Sequence, residues 1–386
     1  MIPYGRQDIT QADIDSVVGV LQSDFLTQGP MVPRFEQIVA QHVGASHALA
    51  VNSATSALHI ACLALGLGPG DRLWTTPITF VASANCGLYC GAQIDFVDID
   101  PRTYNLCPIA LEKKLEVAKA EGKLPKIVVP VHLCGQPCDM EAIHKLSQEY
   151  GFSIIEDASH AIGGKYQGGF IGGGKYSDIT VFSFHPVKII TTAEGGMAVT
   201  NRAELANKMA LLRSHGITRD TSLMTHEADG PWYYQQVDLG YNYRMTEIQA
   251  ALGISQMTRL DQYVERRHEL AGQYNRKLSS LPITIPWQHP DAYSGFHLYV
   301  IRLQLDKLEK THLQIFDELR KEGVGVNVHY IPVHTQPYYQ AMGFKAGSLV
   351  NSERYYEEAI SIPIFQSMTD AQQDEVVAAL AKVLQK

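Results

Sequence analysis

The chain reads as an α/β protein with a mostly parallel central sheet, helices on both faces, and a small C-terminal α+β domain. Three observations predict this. Short apolar runs alternate with helix-length amphipathic segments from residue 47 to residue 201. Those runs, such as KIVVPVHL and FSIIED, are apolar on both faces, as in strands covered on both sides. Beyond about residue 280 the order changes to an apolar run, a helix, a second extended segment and a last helix.

The elements follow in order. Residues 8–22 are expected as an amphipathic helix with Ile9, Ile14, Val17, Val18 and Leu21 on one side. Ser23 to Pro30 is a loop, and Met31 to Val43 a second helix. HALAVN (47–52) is a strand, Ala54 to Leu65 a helix stopped at Gly66, and RLWTTP (72–77) a strand. Phe80 to Cys90 is a helix and QIDFVDID (93–100) a strand. Then come a helix over Leu111 to Glu121, the strand KIVVPVHL (126–133), a helix over Met140 to Tyr150, and the strand FSIIED (152–157). ITVFSF (179–184) and GGMAVTN (195–201) close the series. Glu247 to Leu278 reads as one long helix or two. HLYVIRLQL (297–305), a helix over 311–322, GVNVHYIP (325–332) and a helix over 370–385 make the C-terminal unit. The expected division is 1–250 for the large domain with its N-terminal segment, and 251–386 for the linking helix and the small domain.

Composition narrows the function classes. The 386 residues are 45% hydrophobic, enough for a sizeable core. A net charge of −8 argues against nucleic acid as a partner. No basic-then-apolar leader and no membrane-length run is present, so a cytoplasmic protein without a membrane partner is expected. Six cysteines in so long a chain do not suggest a disulfide framework. His132, Cys134 and Cys138 form H-x-C-x3-C, and Cys86 and Cys90 a C-x3-C. No second pair completes finger spacing, so no metal site is expected.

Active sites in such sheets lie beyond the carboxyl ends of the strands. Asn52, Thr76, Asp157 and His185 fall at such ends. FSFHPVKIITTAEGG (182–196) sets one lysine, Lys188, among apolar flanks, and Asp157 closes the apolar run before it. A desolvated lysine has more free amine with which to attack an aldehyde. A buried carboxylate can hold a pyridine nitrogen protonated. Together they point to pyridoxal phosphate. NSATSALH (52–59) brings hydroxyls and free amides to a helix start, a place for the cofactor phosphate or an ordinary N-cap. Phe80 reads as a stacking ring or as core. His160 reads as a neighbour of the ring hydroxyl or as packing, and Asp157 could also cap a helix begun by DASHA. The run GGFIGGGKY (168–176) puts Tyr176 where a phosphate loop needs a hydroxyl for magnesium, so a hairpin or loop is expected.

These motifs resemble the DegT/DnrJ/EryC1/StrS family. LTQGP (26–30), NSATSALH, PITFVASAN, FVDID, EDASHA, SFHPVKIITTAEGG, LRSHG (212–216) and GYNYRMTEIQAALG (240–253) occur in the family's order. The resemblance implies the type I, aspartate aminotransferase-like fold, pyridoxal 5'-phosphate as cofactor, and a homodimer with shared active sites. It implies Lys188 as the catalytic lysine, with Asp157 on the ring nitrogen and His160 near the ring hydroxyl. It implies Thr55, Ser56 and Ser183 at the phosphate, Phe80 against the ring, and Asn242 on the cofactor phosphate of the neighbouring subunit. Tyr4, the segment Asp24, Phe25, Leu26 and Thr27, and the segment Asn327, Val328, His329 and Tyr330 match substrate-contacting regions.

Within the family, TTPITFVASAN, SATSALH and VHYIPVHTQPYY are similar to members of the pseudaminic acid pathway. Those aminate C4 of a UDP-linked 4-keto-6-deoxy-L-sugar, with L-glutamate giving 2-oxoglutarate. The rival substrate is UDP-4-keto-L-arabinose, and a remoter rival is a regulator that binds the cofactor without turnover. Arg6, Arg213 and Arg244 are candidates for the UDP diphosphate.

Overall fold

The computed structural model describes residues 1–385; Lys386, the last residue of the expected small domain, lies outside them. The N-terminal part holds α1 (Gln11–Leu21), α2 (Met31–Val43), β1 (His47–Val51), α3 (Ala54–Ala64), β2 (Arg72–Thr75), α4 (Ala82–Tyr89) and β3 (Gln93–Phe96). It continues with α5 (Pro108–Glu121), β4 (Ile127–Val129), α6 (Met140–Tyr150) and β5 (Ser153–Asp157). A hairpin of β6 (Lys165–Tyr166) and β7 (Gly169–Phe170) opens the glycine run, as expected from Tyr176. β8 (Ile179–Ser183), β9 (Gly196–Thr200) and α7 (Ala203–Leu212) follow.

Seven strands form the central sheet in the order β1-β9-β8-β5-β4-β2-β3. β9 runs antiparallel to both neighbours, and the pairs from β8 to β3 are parallel. Both faces are buried, which is why the runs read as continuously apolar. Ile127 and Val129 pack on the face covered by α3 and α4, while Val128 faces α5 and α6. Phe182 and Val199 meet α2 on that second side.

A short pair, β10 (Ile217–Thr218) and β11 (Gln235–Gln236), precedes two helices, α8 (Glu247–Met257) and α9 (Leu260–Lys277). The C-terminal unit has β12 (Ile283–Thr284), β13 (Ala292–Tyr293), β14 (Tyr299–Leu303), α10 (His312–Lys321), α11 (Pro337–Gln340), α12 (Val350–Glu358), β15 (Ala359–Ile362) and α13 (Asp370–Leu384). Its sheet is β12-β14-β15, and β13 instead joins β6. GVNVHYIP makes only a single-residue bridge, Asn327 to Ser361, and Val324 just before it is bridged to Ile2. Its side chains are taken up elsewhere, His329 donating to or accepting from Ser361 Oγ at 2.7 Å. Ile2 packs in the core of this unit, with Leu270 and Val326.

Arg267 of α9 is fully buried and has no carboxylate partner among the described residues. Its Nη1 donates to the carbonyls of Phe296, His297 and Ile364, and its Nη2 to Gln366 Oε1. Ile364 N–H donates to the Tyr4 carbonyl, so one guanidinium ties α9 to three segments around the same wall. No helix of the described residues is long and apolar enough to cross a membrane.

The first helix corrects an expectation. α1 leaves Ile14, Val18 and Leu21 exposed and buries Asp13 and Val20. Asp13 accepts two bonds from Arg259 Nη2, at 2.7 and 2.8 Å, and one each from Gln256 Nε2 and Thr10 N–H. The helix is docked by its charged side, because those bonds compensate the burial of the carboxylate. Burial alone would raise the Asp13 pKa; the bonds from Arg259, Ser255 and Thr10 and the Arg259 charge together outweigh it and hold the carboxyl below its usual value. A depressed carboxylate stabilises the fold above its unfolded pKa and loses that contribution as pH falls. Asp13→Ala is expected to cost about 3 kcal/mol, seen as a melting point lower by roughly 5 °C. Below about pH 4 the difference between variant and wild type should shrink; a constant difference down to acid unfolding would contradict the assignment.

Candidate active site

The carboxyl ends of β1, β5 and β8 open onto one cavity of about 850 Å³. Ten of the expected residues line it: Tyr4, Thr55, Ser56, Phe80, Asp157, His160, Ser183, Lys188, His329 and Tyr330. Asn52 and His185 line it too, and Thr76 does not.

Lys188 follows β8 in a turn whose N–H donates to the His185 carbonyl. Its Nζ has no hydrogen-bond or ion-pair partner among the described residues. Removal from water pushes its pKa down to about 8, against the opposing pull of the Asp157 charge. Asp157 ends β5 and is buried. Its Oδ2 accepts from Ser83 Oγ at 2.6 Å. Its Oδ1 accepts from Ser159 N–H at 3.1 Å and Ser159 Oγ at 2.6 Å. Three of about four lone-pair positions are thus filled, leaving one for a donor in the cavity. The capping reading of Asp157 is realised as well, over a turn rather than a helix.

The start of α3 holds both readings of NSATSALH side by side. Ser53 is an ordinary N-cap, accepting from Ser56 N–H at 3.1 Å, and Ser56 Oγ donates to Asn52 Oδ1 at 2.6 Å. The amides of Ala54 and Thr55 and the hydroxyls of Thr55 and Ser183 find no acceptor among the described residues. A Cβ on Gly196 would stand 2.4 Å from Ala54 N, so only glycine lets β9 pass this close to the helix start. Unpartnered donors at a positive helix end suit a phosphate ester. Phe80 is 60% exposed, which excludes the core reading. An exposed ring over the cavity, the phosphate-type cradle and the lone pair of Asp157 together fit pyridoxal phosphate.

Three imidazoles surround Lys188. Burial first, then the Lys188 charge, holds His160 well below its usual pKa, and His329 at about 3. His297, with its ring 4.4 Å from that of His160, is likewise well below. His160 Nδ1 accepts from Cys134 N–H at 3.3 Å, so the neutral ring carries its proton on Nε2, 3.1 Å from Tyr330 Oη. Burial pushes the Tyr330 phenol up, so it remains an O–H.

The remaining expected residues do not line the cavity. Asn242 is exposed, its carbonyl accepting from Asn52 Nδ2 at 3.4 Å. Asp24, Phe25, Leu26 and Thr27 are exposed, with Thr27 bridged to Thr246. Asn327 Oδ1 accepts from Val328 N–H, and Asn327 Nδ2 lies 3.4 Å from His329 Nε2. Of the three arginines, Arg213 is committed to Glu36 and to the Ala50 carbonyl, and none lines the cavity. His132 Nδ1 accepts from Cys138 N–H and its Nε2 lies 2.7 Å from Glu156, so H-x-C-x3-C braces β5. Ser83, Ser159 and His297 were missed. Ser159 had a signal, an Asx-type turn in DAS. Ser83 and His297 had none, since each reaches the site from another segment.

The chain matches the DegT/DnrJ/EryC1/StrS aminotransferase family over residues 7–381. It is 39% identical over 386 residues to the spore coat polysaccharide biosynthesis protein SpsC of Bacillus subtilis, covering 99% of this chain and 97% of that one. It is 37% identical over 389 residues to the UDP-4-amino-4,6-dideoxy-N-acetyl-beta-L-altrosamine transaminase of Campylobacter jejuni, covering 100% and 98%. Its fold is similar to Helicobacter pylori PseC, an aminotransferase involved in the biosynthesis of pseudoaminic acid, with a TM-score of 0.90, 32% identity and 99% of each chain covered. The chain belongs to the DegT/DnrJ/EryC1/StrS aminotransferase family, and it is a pyridoxal phosphate-dependent aminotransferase.

Proposed function

We propose that the enzyme transfers the amino group of L-glutamate to C4 of UDP-2-acetamido-2,6-dideoxy-β-L-arabino-hexos-4-ulose. The product is UDP-4-amino-4,6-dideoxy-N-acetyl-β-L-altrosamine. A sugar aminotransferase is the coarser statement, and it holds from the family and its full-length relatives. The observation that carries the chemistry is an unpartnered lysine and a serine-held aspartate on one cavity. The choice of sugar rests on the C. jejuni and H. pylori relatives. SpsC, at 39% identity, supports a second reading, another nucleotide-linked keto sugar, of which UDP-4-keto-L-arabinose is one.

Bound in the cavity, pyridoxal phosphate supplies an aldehyde that carries the amino group and a ring that takes up electrons. Asp157, fixed by Ser83 and Ser159, would keep the ring nitrogen protonated with its free lone pair. Thr55, Ser183 and the start of α3 would hold the phosphate, Ser56 would join them by turning its hydroxyl away from Asn52, and Phe80 would cover the ring. Lys188 takes the proton from Cα of glutamate and, in the second half, delivers one to C4 of the sugar. With a pKa of about 8, roughly a tenth of Lys188 is free amine at neutral pH, and the rest is the acid form that the return step needs. His160 orients Tyr330, whose hydroxyl proton is left to donate into the cavity.

We read the assembly as a homodimer in the cytoplasm, with no membrane or nucleic-acid partner. Supporting this, Asn242 and the Asp24 to Thr27 segment lie off the chain's own cavity. Ile14, Val18, Leu21, Phe25 and Leu26 form an exposed apolar stretch on and after α1. We divide the chain at about residue 250, with Ile2 crossing to the small unit.

Four measurements check these readings. Borohydride should fix the cofactor on the Lys188 peptide; in cofactor-free protein, trinitrobenzenesulfonate labelling of that peptide should rise with a midpoint near about 8. A midpoint near the usual lysine value, or an adduct on another lysine, would remove Lys188 from its role. In a panel of UDP-4-keto sugars with glutamate, the L-arabino-hexosulose should give the highest kcat/KM by at least about tenfold. A preference for the keto-pentose or the D-isomer decides for the second reading. Mixing inactive Lys188→Ala with inactive Asn242→Asp under subunit exchange should restore about a quarter of wild-type activity, since half the dimers are mixed and each has one intact site. Proven exchange without recovery would place the whole site within one chain.

A further inference from the structure

Of the three imidazoles beside Lys188, two have both ring nitrogens engaged. His160 Nδ1 accepts from Cys134 N–H, and its Nε2 lies 3.1 Å from Tyr330 Oη. His329 Nδ1 lies 2.7 Å from Ser361 Oγ, and its Nε2 lies 3.4 Å from Asn327 Nδ2. His297 is 4% exposed and lines the same cavity, yet neither of its nitrogens has a hydrogen-bond partner among the described residues. Its Nδ1 is closed off, and Nε2 is the nitrogen that stays open to the cavity. An orphaned N–H is the costlier arrangement in a closed space, so the ring proton belongs on Nε2.

The loop that carries His297 is fixed on both sides of it. Arg267 Nη1 donates to the His297 carbonyl at 3.2 Å. Gly295 N–H donates to the Gly135 carbonyl at 3.0 Å, and Leu298 N–H to the Cys134 carbonyl at 3.4 Å. A Cβ on Gly135 would stand 2.7 Å from the His160 carbonyl oxygen and 2.8 Å from Phe296 N, so glycine is what lets these segments meet. The His297 ring is thereby held 4.4 Å from the ring of His160.

The order of strands says which edge of the cofactor this donor meets. Thr55 and the start of α3 follow β1, and Ser183 ends β8, so the phosphate cradle lies to one side of β5. Cys134 follows β4, and it gathers His160 and His297 on the other side. On a pyridine ring whose nitrogen faces Asp157 and whose aldehyde carbon faces Lys188, the phosphate arm and the ring hydroxyl project in opposite directions. With the arm toward β8 and β1, the hydroxyl oxygen points toward β4. We propose that His297 donates its Nε2–H to the ring hydroxyl oxygen of pyridoxal phosphate. This rests on the roles given above to Lys188, Asp157 and the cradle. His160, expected at that oxygen from the resemblance, has both nitrogens occupied. Tyr330 has a free hydroxyl proton, but its ring is 6.4 Å from that of Phe80 and so belongs to the face that Phe80 covers. Burial, then the neighbouring His160, Lys188, Arg267 and His329, holds His297 well below its usual pKa, so the ring stays a neutral donor. The other titratable groups on this wall are Asp157, Cys134 and Tyr330; burial pushes Cys134 up to about 12 and raises Tyr330, so both keep their protons.

The test follows the visible absorption of the holoenzyme with pH, once borohydride has located the cofactor on Lys188. In the bound cofactor the ring oxygen and the lysine nitrogen share a proton. A donor on that oxygen stabilises the form that has lost the proton, so removing the donor should raise the pH at which the band changes. In His297→Phe, checked for fold by circular dichroism, the midpoint should rise by about one unit or more, as for a lost hydrogen bond to a charged oxygen. His297→Gln, which keeps an N–H, should lie between, and Tyr330→Phe should move the midpoint less. With the cofactor exchanged for 3-deoxypyridoxal phosphate, His297→Phe should leave the midpoint in place. An unmoved midpoint in His297→Phe overturns the proposal, as does a larger shift in Tyr330→Phe or an equal shift with the deoxy analogue. With the adduct on Lys188, such a result leaves the reading of the site standing; an adduct on another lysine overturns the orientation itself. Should neither His297 variant fold, the wild type decides. Diethyl pyrocarbonate should label His297 faster with the deoxy analogue bound than with pyridoxal phosphate, and equal rates overturn the proposal.

Discussion

One amine held out of water organises the catalytic half of this molecule. Lowering Lys188 to about 8 corresponds to roughly 3 kcal/mol of preference for the uncharged form. That preference depends on what the cavity withholds. Nothing in the chain hydrogen-bonds to Nζ, and only the Asp157 charge pulls the other way. Asp157 is itself fixed by serines from two directions, one local and one from α4. The carboxylate is therefore held in place without being neutralised by a protein cation, and its remaining lone pair points where a ligand can use it.

The walls are fixed by a second, different device. Arg267 buries a full charge against carbonyl oxygens and an amide, with no carboxylate. An unpaired buried charge is costly, and burial brings this guanidinium down to about 10. The cost is offset only if the carbonyls of Phe296, His297 and Ile364 converge on it. The arginine thus specifies one arrangement of these segments, and through Ile364 it fixes Tyr4. The α9 helix and the small unit meet at the cavity because this side chain demands acceptors from residues 296–297 and 364–366, and the N-terminal residues join them through Ile364 N–H on the Tyr4 carbonyl.

Much of this was legible in the sequence, and the limits have physical causes. The strands of the large unit were readable because both faces of the sheet are buried, so Ile127, Val128 and Val129 are all apolar. Lys188, Asp157 and the glycine-run hairpin could be found because each carries a local signal. The antiparallel insertion of β9 could not, since pairing partners leave no trace in an apolar run. The α1 stripe misled because periodicity reports a face without saying what meets it; there, Asp13 and Arg259 won the inner side. Helices α7 and α12 are short and lie outside the strand–helix alternation that carries the sequence reading. Ser83 and His297 were invisible because they serve the site only through tertiary contact. Asn242 and residues 24–27 carry family-like motifs, yet they point away from the cavity of their own chain.

The three imidazoles beside Lys188 have a further consequence. Histidines usually make a protein surface a proton store, taking up charge as the surroundings acidify. Here His160, His297 and His329 are all held far below that range. A modest fall in external pH leaves the three rings as they are. They line the chamber with dipoles of fixed sense, and a histidine-rich wall that ought to act as a buffer behaves as an electrically silent one.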